Sequence, residues 1–477
     1  MTADELVAAG YGWEIADAPE LHDGLNLADL AHAVELADRG ILTGAARTAL
    51  LGALLDLAAL PAAAVDYDPA HGEVYDAREH HLARRIGDHA GWLRAGRTRR
   101  EAVRTAFRLR VRSQVLDLVA AAADLAAVLA RRAGEHVETL MPDYTYLQQA
   151  QPTTFGHYLL SFADPVLRDA GRLLFELAHV DASPAGSGAA NGSRILDDRD
   201  GTARLLGFGH AIEHTRDAMW QTDPFVHVVA AATTLLVGQD KLAEDLEIFA
   251  SAEFGFVDLA EAHSRPSILM PQKRNPYALT VVRGSAGVAL GRLTGTLAVV
   301  KTPSARSDNL IYLYGEIPRT LDLAVRVTAL TTGVVGSLTP DPARMEAALD
   351  LGFTAAADLA ERLMSRFGAD YRTAHQVVQR AVRSGSLSAD AVAAAAASVV
   401  GTEWRLPDDE LAAMTDARAL VASRTALGGA APAAMAPMLD RVRGEAAALR
   451  SDVDDRRAAV HAAENALRAR ATALAGR

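Results

Sequence analysis

Much of the chain repeats apolar residues at three- and four-residue intervals, the spacing of an α-helix with one buried face. The longest such stretch follows Gly96 and Thr98, which supply a loop and an N-cap, and it predicts a helix that continues to about Ala133. At 1.5 Å per residue, roughly 34 residues would form a rod about 50 Å long. Rods of this length are typical of large helical bundles rather than of small globular domains.

Further helical patterns lie on both sides of this rod. They predict helices over residues 72–88, 225–250 and 280–301, and shorter alanine-rich helices from about Asp341 to the end. Glycines recur at three- and four-residue steps within residues 280–301, which permits close approach of a neighbouring helix. The small residues of segment 183–194 predict a turn, and the Lys-Ser/Thr ending of a phosphate-binding loop is absent from it.

Composition supports a helical fold and suggests more than one domain. The chain has 477 residues, which exceeds the usual size of a single core. Its residues are 50% hydrophobic but only 5% aromatic, a balance that suits close-packed helices better than strands. We therefore expect an all-α protein.

Charge and cysteine content exclude several classes of function. The formal net charge of −12 argues against a nucleic-acid partner. The chain has no cysteine, which excludes disulfides, thiolate metal sites and a cysteine nucleophile. The first residues lack the features of a signal peptide, and no uninterrupted apolar run approaches the roughly 18 residues of a membrane span. We expect a soluble, cytoplasmic protein without a membrane partner.

Two polar clusters have alternative interpretations. His80 and His81 lie among charged residues, where a solvated helix face is favoured over metal binding because further spaced ligands are missing. Residues 94–112 form the most basic run of the chain, and such runs are usually solvated faces or nucleic-acid patches. The preceding loop and the N-cap Thr98 favour an anion site at the start of the long helix instead.

A proline-rich loop at residues 263–279 separates two of the predicted helices. Its sequence, HSRPSILMPQKRNPYAL, contains two serines and Lys273 among three prolines. The prolines exclude a continuous helix. Residues 267–276 resemble the signature of the fumarate lyase superfamily, Gly-Ser-x-x-Met-Pro-x-Lys-x-Asn-Pro. Each fixed position is present except the glycine, which is Pro266 here. This superfamily includes argininosuccinate lyase, fumarase, aspartase, adenylosuccinate lyase and carboxymuconate cycloisomerase.

The resemblance extends over about residues 25–445 and is strongest to argininosuccinate lyase. Segments such as YTYLQQAQP, SPAGSGAANG and SRTALGGAAP are similar to family segments in the same order. The resemblance implies three domains, at residues 1–96, 97–345 and 346–477. It also implies a homotetramer whose core is a bundle of long helices. Each active site would combine residues 97–101, 144–152 and 264–275 from three different subunits.

Family chemistry removes a proton beside a carboxylate and expels a group from the neighbouring carbon. The doubly charged aci-carboxylate formed on the way requires pre-placed cations and hydrogen-bond donors. The resemblance assigns proton abstraction to Ser267, with activation by Lys273 and by backbone amides of the loop. It implies a dicarboxylate substrate and neither a metal nor an organic cofactor. The implied substrate-binding residues are Thr98, Arg99, Arg100, Thr145, Gln148, Met270, Asn275 and Arg306.

Several residues depart from the pattern of argininosuccinate lyase. Tyr146 replaces the histidine that assists departure of the amine, and free tyrosine, with a pKa near 10, is poorly matched to neutral pH. Tyr146 is still the predicted acid, with His157 and His214 as substitutes that more often have structural roles. Arg100 replaces a substrate-binding asparagine, and Arg306 stands where a tyrosine holds argininosuccinate. These two arginines suggest a substrate with an additional anionic group or one that is held differently; the alternative is that they are surface charges.

The sequence therefore predicts a carbon–nitrogen lyase that releases fumarate from an N-substituted succinate other than argininosuccinate. Two alternatives stay open. A cycloisomerase of the carboxymuconate type would use the same proton abstraction and end in ring closure. A non-catalytic structural homologue would not need Ser267, Lys273 and Asn275 together, and all three are present.

Overall fold

α-Helices form most of the computed structural model, which describes residues 2–304 and 308–477. The first part of the chain contains α1 (Asp4–Leu6), α2 (Gly12–Ala16), α3 (Ala18–Asp38), α4 (Gly44–Ala58) and α5 (Val74–Ile86). The middle part contains α6 (Arg99–Glu135), α7 (Phe155–Leu160), α8 (Ala163–Val180), α9 (Arg199–Leu205), α10 (Thr215–Trp220), α11 (Asp223–Phe249), α12 (Tyr277–Val300) and α13 (Glu316–Ser337). The last part contains α14 (Pro342–Leu349), α15 (Ala356–Phe367), α16 (Tyr371–Arg383), α17 (Ala389–Val400), α18 (Asp408–Thr415), α19 (Ala417–Ala422) and α20 (Pro432–Ala475).

The strands are few and pair two by two. Strands β1 (Leu140–Thr145) and β2 (Gln148–Thr154) form an antiparallel hairpin. The remaining strands have two residues each, namely β3 (Ala182–Ser183), β4 (His210–Ala211), β5 (Val257–Asp258), β6 (Arg265–Pro266), β7 (Arg274–Asn275) and β8 (Thr339–Pro340). Of these, β3 pairs with β4 in parallel, whereas β5 pairs with β8 and β6 with β7 in antiparallel orientation. The predicted all-α class is confirmed.

Helix α6 is the centre of the largest hydrophobic core. It begins after the predicted N-cap Thr98, whose hydroxyl accepts a hydrogen bond from the Glu101 amide at 3.4 Å. It packs against α3, α8, α13 and α20. By length and composition α6 could cross a membrane, but 67% of its most apolar stretch is buried inside the protein. A buried core helix meets the same criteria.

The last part of the chain differs from the prediction of short helices only. A small separate cluster does form within α15–α18, around residues such as Leu359, Val377 and Trp404. The final helix α20, however, spans 44 residues and packs along α6 and α4 rather than on that cluster. The proposed domain boundaries stay a prediction.

The basic run at the start of α6 contains three buried arginines. Arg104, Arg108 and Arg112 follow one another at four-residue steps and therefore lie on one face of the helix. Each donates a hydrogen bond to a carbonyl at the end of a different helix. The acceptors are the Met219 carbonyl for Arg104, at 3.1 Å, the His179 carbonyl for Arg108, at 2.8 Å, and the Gly207 carbonyl for Arg112, at 2.7 Å. A cation at a helix C-terminus satisfies free carbonyls and opposes the helix dipole. These arginines are thus neither a solvated face nor a nucleic-acid patch.

Replacement of Arg108 by methionine should destabilise the protein. The Val180 carbonyl, which accepts from Arg108 at 3.2 Å, would stay buried without this donor, and the part-buried bond to the His179 carbonyl at 2.8 Å would also be lost. We expect the free energy of unfolding to fall by roughly 2–3 kcal/mol, measured as a lower Tm. The control is Arg131→Met on the same helix, where a half-exposed i,i+4 pair with Glu135 is worth less than about 1 kcal/mol. Equal shifts for both variants would contradict this role.

Candidate active site

The proline-rich loop is a β-hairpin that projects from the start of α12. Strands β6 and β7 pair Arg265 with Asn275 and Pro266 with Arg274. Beyond them, the Ser267 amide donates to the Lys273 carbonyl at 3.0 Å and closes the tip. The tip residues Ile268 and Leu269 are almost fully exposed in the single chain. The loop is therefore folded internally but makes few contacts with the rest of its own chain.

The Ser267 hydroxyl has a local environment that suits a base. Its oxygen accepts a hydrogen bond from the Met270 amide at 3.0 Å. A donor directed at this oxygen stabilises the alkoxide more than the neutral hydroxyl. The Met270 carbonyl in turn accepts from the Lys273 amide at 3.0 Å, so the backbone of Lys273 is fixed relative to Ser267.

Lys273 supplies a positive charge and Asn275 a hydrogen-bond donor on the same hairpin as Ser267. Among the described residues no carboxylate lies within ion-pair distance of the Lys273 ammonium, which is exposed. The Asn275 side-chain amide donates to the Arg265 carbonyl across the hairpin at 3.2 Å. Met270 is partly exposed beside them. The hairpin thus brings the predicted base, cation and amide together on one short segment.

Tyr146 lies at the tip of the β1–β2 hairpin. Thr145 pairs with Gln148, so Tyr146 and Leu147 form a two-residue turn. Both have positive φ, +54° and +58°, as a type I′ turn requires. Neither is glycine, so both residues adopt a backbone conformation that L side chains rarely take. The Tyr146 side chain is 99% exposed in the single chain, and Thr145 and Gln148 are exposed beside it.

The start of α6 holds the third predicted segment. The Thr98 hydroxyl, besides capping the helix, donates to the Gly188 carbonyl at 3.0 Å. The buried Glu101 carboxylate accepts from the Gly186 and Gly188 amides at 2.7 and 2.6 Å. These bonds fix the predicted turn at residues 183–194 against the helix start. The Thr98 hydroxyl is therefore already engaged in structural contacts.

Arg99 and Arg100 are paired with acidic residues. Arg100 Nη1 lies 3.2 Å from Glu14 and 3.1 Å from Glu73. Arg99 lies 3.3 Å from Glu73 and 2.9 Å from Asp76. Three carboxylates thus face two guanidinium groups. The charge of Arg100 is thus paired within the chain, and the expectation that it serves an additional anionic group of the substrate stays a prediction.

Glu73 should make the stability of the protein depend on pH. Burial raises its pKa from 4.5 to about 7. Between these values the folded state holds a proton that the unfolded state releases, so the free energy of unfolding falls as pH rises. We expect the Tm of Glu73→Gln to decline less between pH 5 and pH 7 than that of the wild type. Burial also raises the pKa of Glu101 to about 7, so part of the decline should persist.

The matched control for this measurement is Glu138→Gln, at an exposed position outside the cluster. It should keep the wild-type dependence of Tm on pH. An unchanged dependence in Glu73→Gln would show that Glu73 does not titrate in this range.

One chain does not bring the three segments together. No hydrogen bond or ion pair between described residues joins the Ser267 hairpin, the Tyr146 hairpin and the start of α6. Arg306 lies outside the described residues. His157 has structural partners on both ring nitrogens, Thr153 and the Gly428 carbonyl, each at 3.0 Å. His214 caps α10 through its ring nitrogen.

Sequence reasoning missed the acidic residues around Arg100. Glu14 lies in a short helix that carries no motif, and Glu73 directly precedes α5. Neither carboxylate gives a local signal of ion pairing, because Arg100 lies 86 and 27 positions away in sequence. Within the described residues, no group of three or more His, Asp or Glu side chains is arranged to hold a metal.

Comparisons with known proteins agree with the loop resemblance. A family model described as lyase matches residues 47–291, more than half of the chain. The argininosuccinate lyase of Methanoculleus marisnigri is 36% identical over 422 residues, which cover 87% of this chain and 86% of that protein. The argininosuccinate lyase of Mycolicibacterium paratuberculosis is 37% identical over 439 residues, covering 89% and 90%.

Solved structures show the same fold. EDDS lyase in complex with formate matches with a TM-score of 0.89 at 26% identity, over 96% of this chain and 93% of that one. The 3-carboxy-cis,cis-muconate lactonizing enzyme from Pseudomonas putida matches with a TM-score of 0.73 at 21% identity, over 90% and 95%, and shows the fold alone. The chain therefore belongs to the fumarate lyase superfamily, it is a lyase, and it has argininosuccinate lyases among its relatives in sequence.

Proposed function

We propose that the protein is a carbon–nitrogen lyase that releases fumarate from an N-substituted succinate other than argininosuccinate. The observation that carries this proposal is the Ser267 hairpin. The Ser267 oxygen accepts a hydrogen bond from a backbone amide, and the exposed Lys273 has no carboxylate partner among the described residues. This arrangement suits removal of a proton next to a carboxylate.

In the proposed mechanism, Ser267 removes the proton from the carbon beside a carboxylate of the substrate. The electron pair moves into that carboxylate and forms the aci-carboxylate, which Lys273 and Asn275 stabilise by charge and hydrogen bonding. The pair then returns to form the double bond of fumarate while the carbon–nitrogen bond breaks. Tyr146 donates a proton to the departing nitrogen.

The departures around the site argue against argininosuccinate as substrate. Tyr146 replaces the histidine expected for departure of a basic nitrogen. Arg100 is held between Glu14 and Glu73, so an ion-paired arginine occupies the position of a neutral asparagine. Similarity to EDDS lyase, at 26% identity over 96% of this chain, is consistent with a different amine.

We also propose a homotetramer with active sites shared between three subunits. Tyr146 on one hairpin and Ile268 on the other are fully exposed in the single chain, as expected for tips that reach into neighbouring subunits. Helix α12 exposes Leu290 and Leu297, each about half accessible and seven residues apart on one face, and an exposed apolar face of this kind favours association. We also propose that the protein is cytoplasmic and that its substrate is a small dicarboxylate.

Incubation with fumarate and a panel of nitrogen nucleophiles tests the proposed reaction in reverse. The panel would include arginine, ammonia, hydrazine, ethylenediamine and nitrite, and NMR would follow loss of the vinyl protons. We expect addition of at least one nucleophile other than arginine, and addition on the order of 10³-fold slower with Ser267→Ala. Failure of every nucleophile would favour a cycloisomerase, whose substrate closes a ring without releasing fumarate, or a non-catalytic protein.

A further inference from the structure

Gln149 is the side chain nearest the tip of the β1–β2 hairpin that bonds to a distant part of the chain, whereas the base of the hairpin packs on other elements through residues such as Leu140. Its amide nitrogen donates to the Ala348 carbonyl at 2.9 Å and lies 3.4 Å from the Tyr144 hydroxyl. Ala348 belongs to the last turn of α14, where carbonyls lack helical partners. Tyr144 packs its ring near Phe249 and Phe254. Gln149 therefore ties the hairpin both to α14 and to an aromatic cluster.

Gly352 packs directly against the same amide. A Cβ atom at this position would lie 1.8 Å from Gln149 Oε1, so a larger residue cannot occupy it unless Gln149 moves. The next residue, Phe353, has a φ of +50°, which is strained for a bulky side chain. The turn between α14 and α15 is thus shaped closely around the Gln149 side chain.

Toward the tip, the described part of the chain gives residues 145–148 no support comparable to that at Gln149. These four residues are all exposed, and the Gln148 side-chain amide donates to the Leu147 carbonyl at 3.3 Å. A cavity of about 380 Å³ borders the tip, with Tyr146 and Leu147 in its wall. The Tyr144–Gln149 pair is therefore the last supported pair before Tyr146. Since the turn itself has a defined conformation, the position of this pair sets the position of Tyr146.

We infer that Gln149 is a positioning residue that fixes Tyr146 for proton donation, through the contact of the hairpin with α14 and Gly352. This inference rests on the proposed function, in which Tyr146 acts on the departing nitrogen. A shift of about 1 Å at a reacting group can lower a rate by 10- to 100-fold. Loss of the Gln149 contacts should therefore reduce turnover more than substrate binding.

The kinetic test uses fumarate with whichever nucleophile of the panel adds fastest to the full-length protein. Gln149→Ala should lower kcat about tenfold and change the KM for fumarate less than twofold. In the Tyr146→Phe background the same substitution should cause no further loss, because the group being positioned is already absent. Independent, multiplicative losses would overturn the inference.

Gly352→Ala provides a second route to the same effect. The added methyl group must displace the Gln149 amide, so kcat should fall as in Gln149→Ala. Combined with Gln149→Ala, it should cause a smaller loss than it does alone, because Oε1 and Cδ, at 1.8 and 2.8 Å from the added atom, are gone and only the Gln149 Cβ at 2.9 Å remains. The control is Thr354→Val, which removes a buried hydrogen bond to the Leu349 carbonyl in the same turn. It should lower Tm and leave kcat unchanged.

Hydrogen exchange measured by mass spectrometry tests the inference without a substrate. Amides of residues 144–149 should exchange faster in Gln149→Ala and Gly352→Ala, whereas amides of α6 should not change. Unchanged exchange and unchanged kcat would overturn the positioning role. If Tyr146→Phe keeps full activity while Ser267→Ala loses it, the acid role of Tyr146 fails as well, and faster exchange then reports a purely structural contact.

Discussion

Ser267→Ala is expected to lower the rate of fumarate addition and release on the order of 10³-fold, within the range for loss of a general base. No other described side chain in the hairpin combines a hydroxyl with a backbone donor directed at its oxygen. Alanine removes the oxygen but keeps the backbone bonds between positions 267 and 273, so the loop should keep its shape. The loss should appear in kcat, because the serine acts in the transition state rather than in binding.

Ser264→Ala is the matched control for this prediction. Ser264 lies three residues earlier, and its hydroxyl donates to the Ala260 carbonyl at 3.1 Å, away from the hairpin tip. This variant should keep its rate within a few-fold of the wild type. A Ser267→Ala protein that retained most of its activity would assign the base to another residue and would require a different mechanism.

The elements that were predicted best are those whose signals are local. Thr98 caps α6 as expected, and the helix ends at Glu135, two residues beyond the predicted end. Pro266, Pro271 and Pro276 exclude a helix whatever the rest of the chain does, so the break between α11 and α12 could be placed from sequence. A cap or a proline acts on its neighbours in sequence, which is why such signals can be interpreted without the fold.

The elements that were missed depend on contacts between distant residues. The 44-residue length of α20 was not predicted, because its large apolar residues are widely spaced among alanines and charged residues, as in a series of shorter helices. The buried Arg108 could not be distinguished from a surface arginine, because its partners lie 71 and 72 positions away. The pairing of Arg100 with Glu14 over 86 positions has the same origin.

In the candidate site, too, the residues with a local sequence signal were predicted and those that depend on distant contacts were missed. Ser267, Lys273 and Asn275 were identified from the similarity of the loop to a known signature. In the structure all three lie on one hairpin. The role of Gln149 had no local signal, since its partner Ala348 is 199 positions away. Residues 145–148 are exposed in the single chain, and the proposed completion of the site by neighbouring subunits leaves no local signal in a single sequence.

Tyr146→His should change how the rate depends on the leaving group. A tyrosine is a weak acid at neutral pH, so the wild-type enzyme should favour nitrogen groups that depart without much protonation. We expect kcat for fumarate release to rise steeply as the basicity of the leaving nitrogen falls across a series of N-substituted succinates. A histidine, with a pKa near neutrality, should raise the rate for basic amines by roughly 10- to 100-fold and flatten this dependence.

The turn should accept this histidine, because histidine is among the residues enriched at positive φ and Tyr146 already has a φ of +54°. Tyr146→Phe is the companion variant, since it keeps the ring and removes the proton donor. Its rate should fall most for basic amines and least for groups that need no protonation. A wild-type enzyme with a flat dependence and full activity on simple amines would exclude Tyr146 as the limiting acid. The missing histidine would then have a substitute elsewhere in the assembled site.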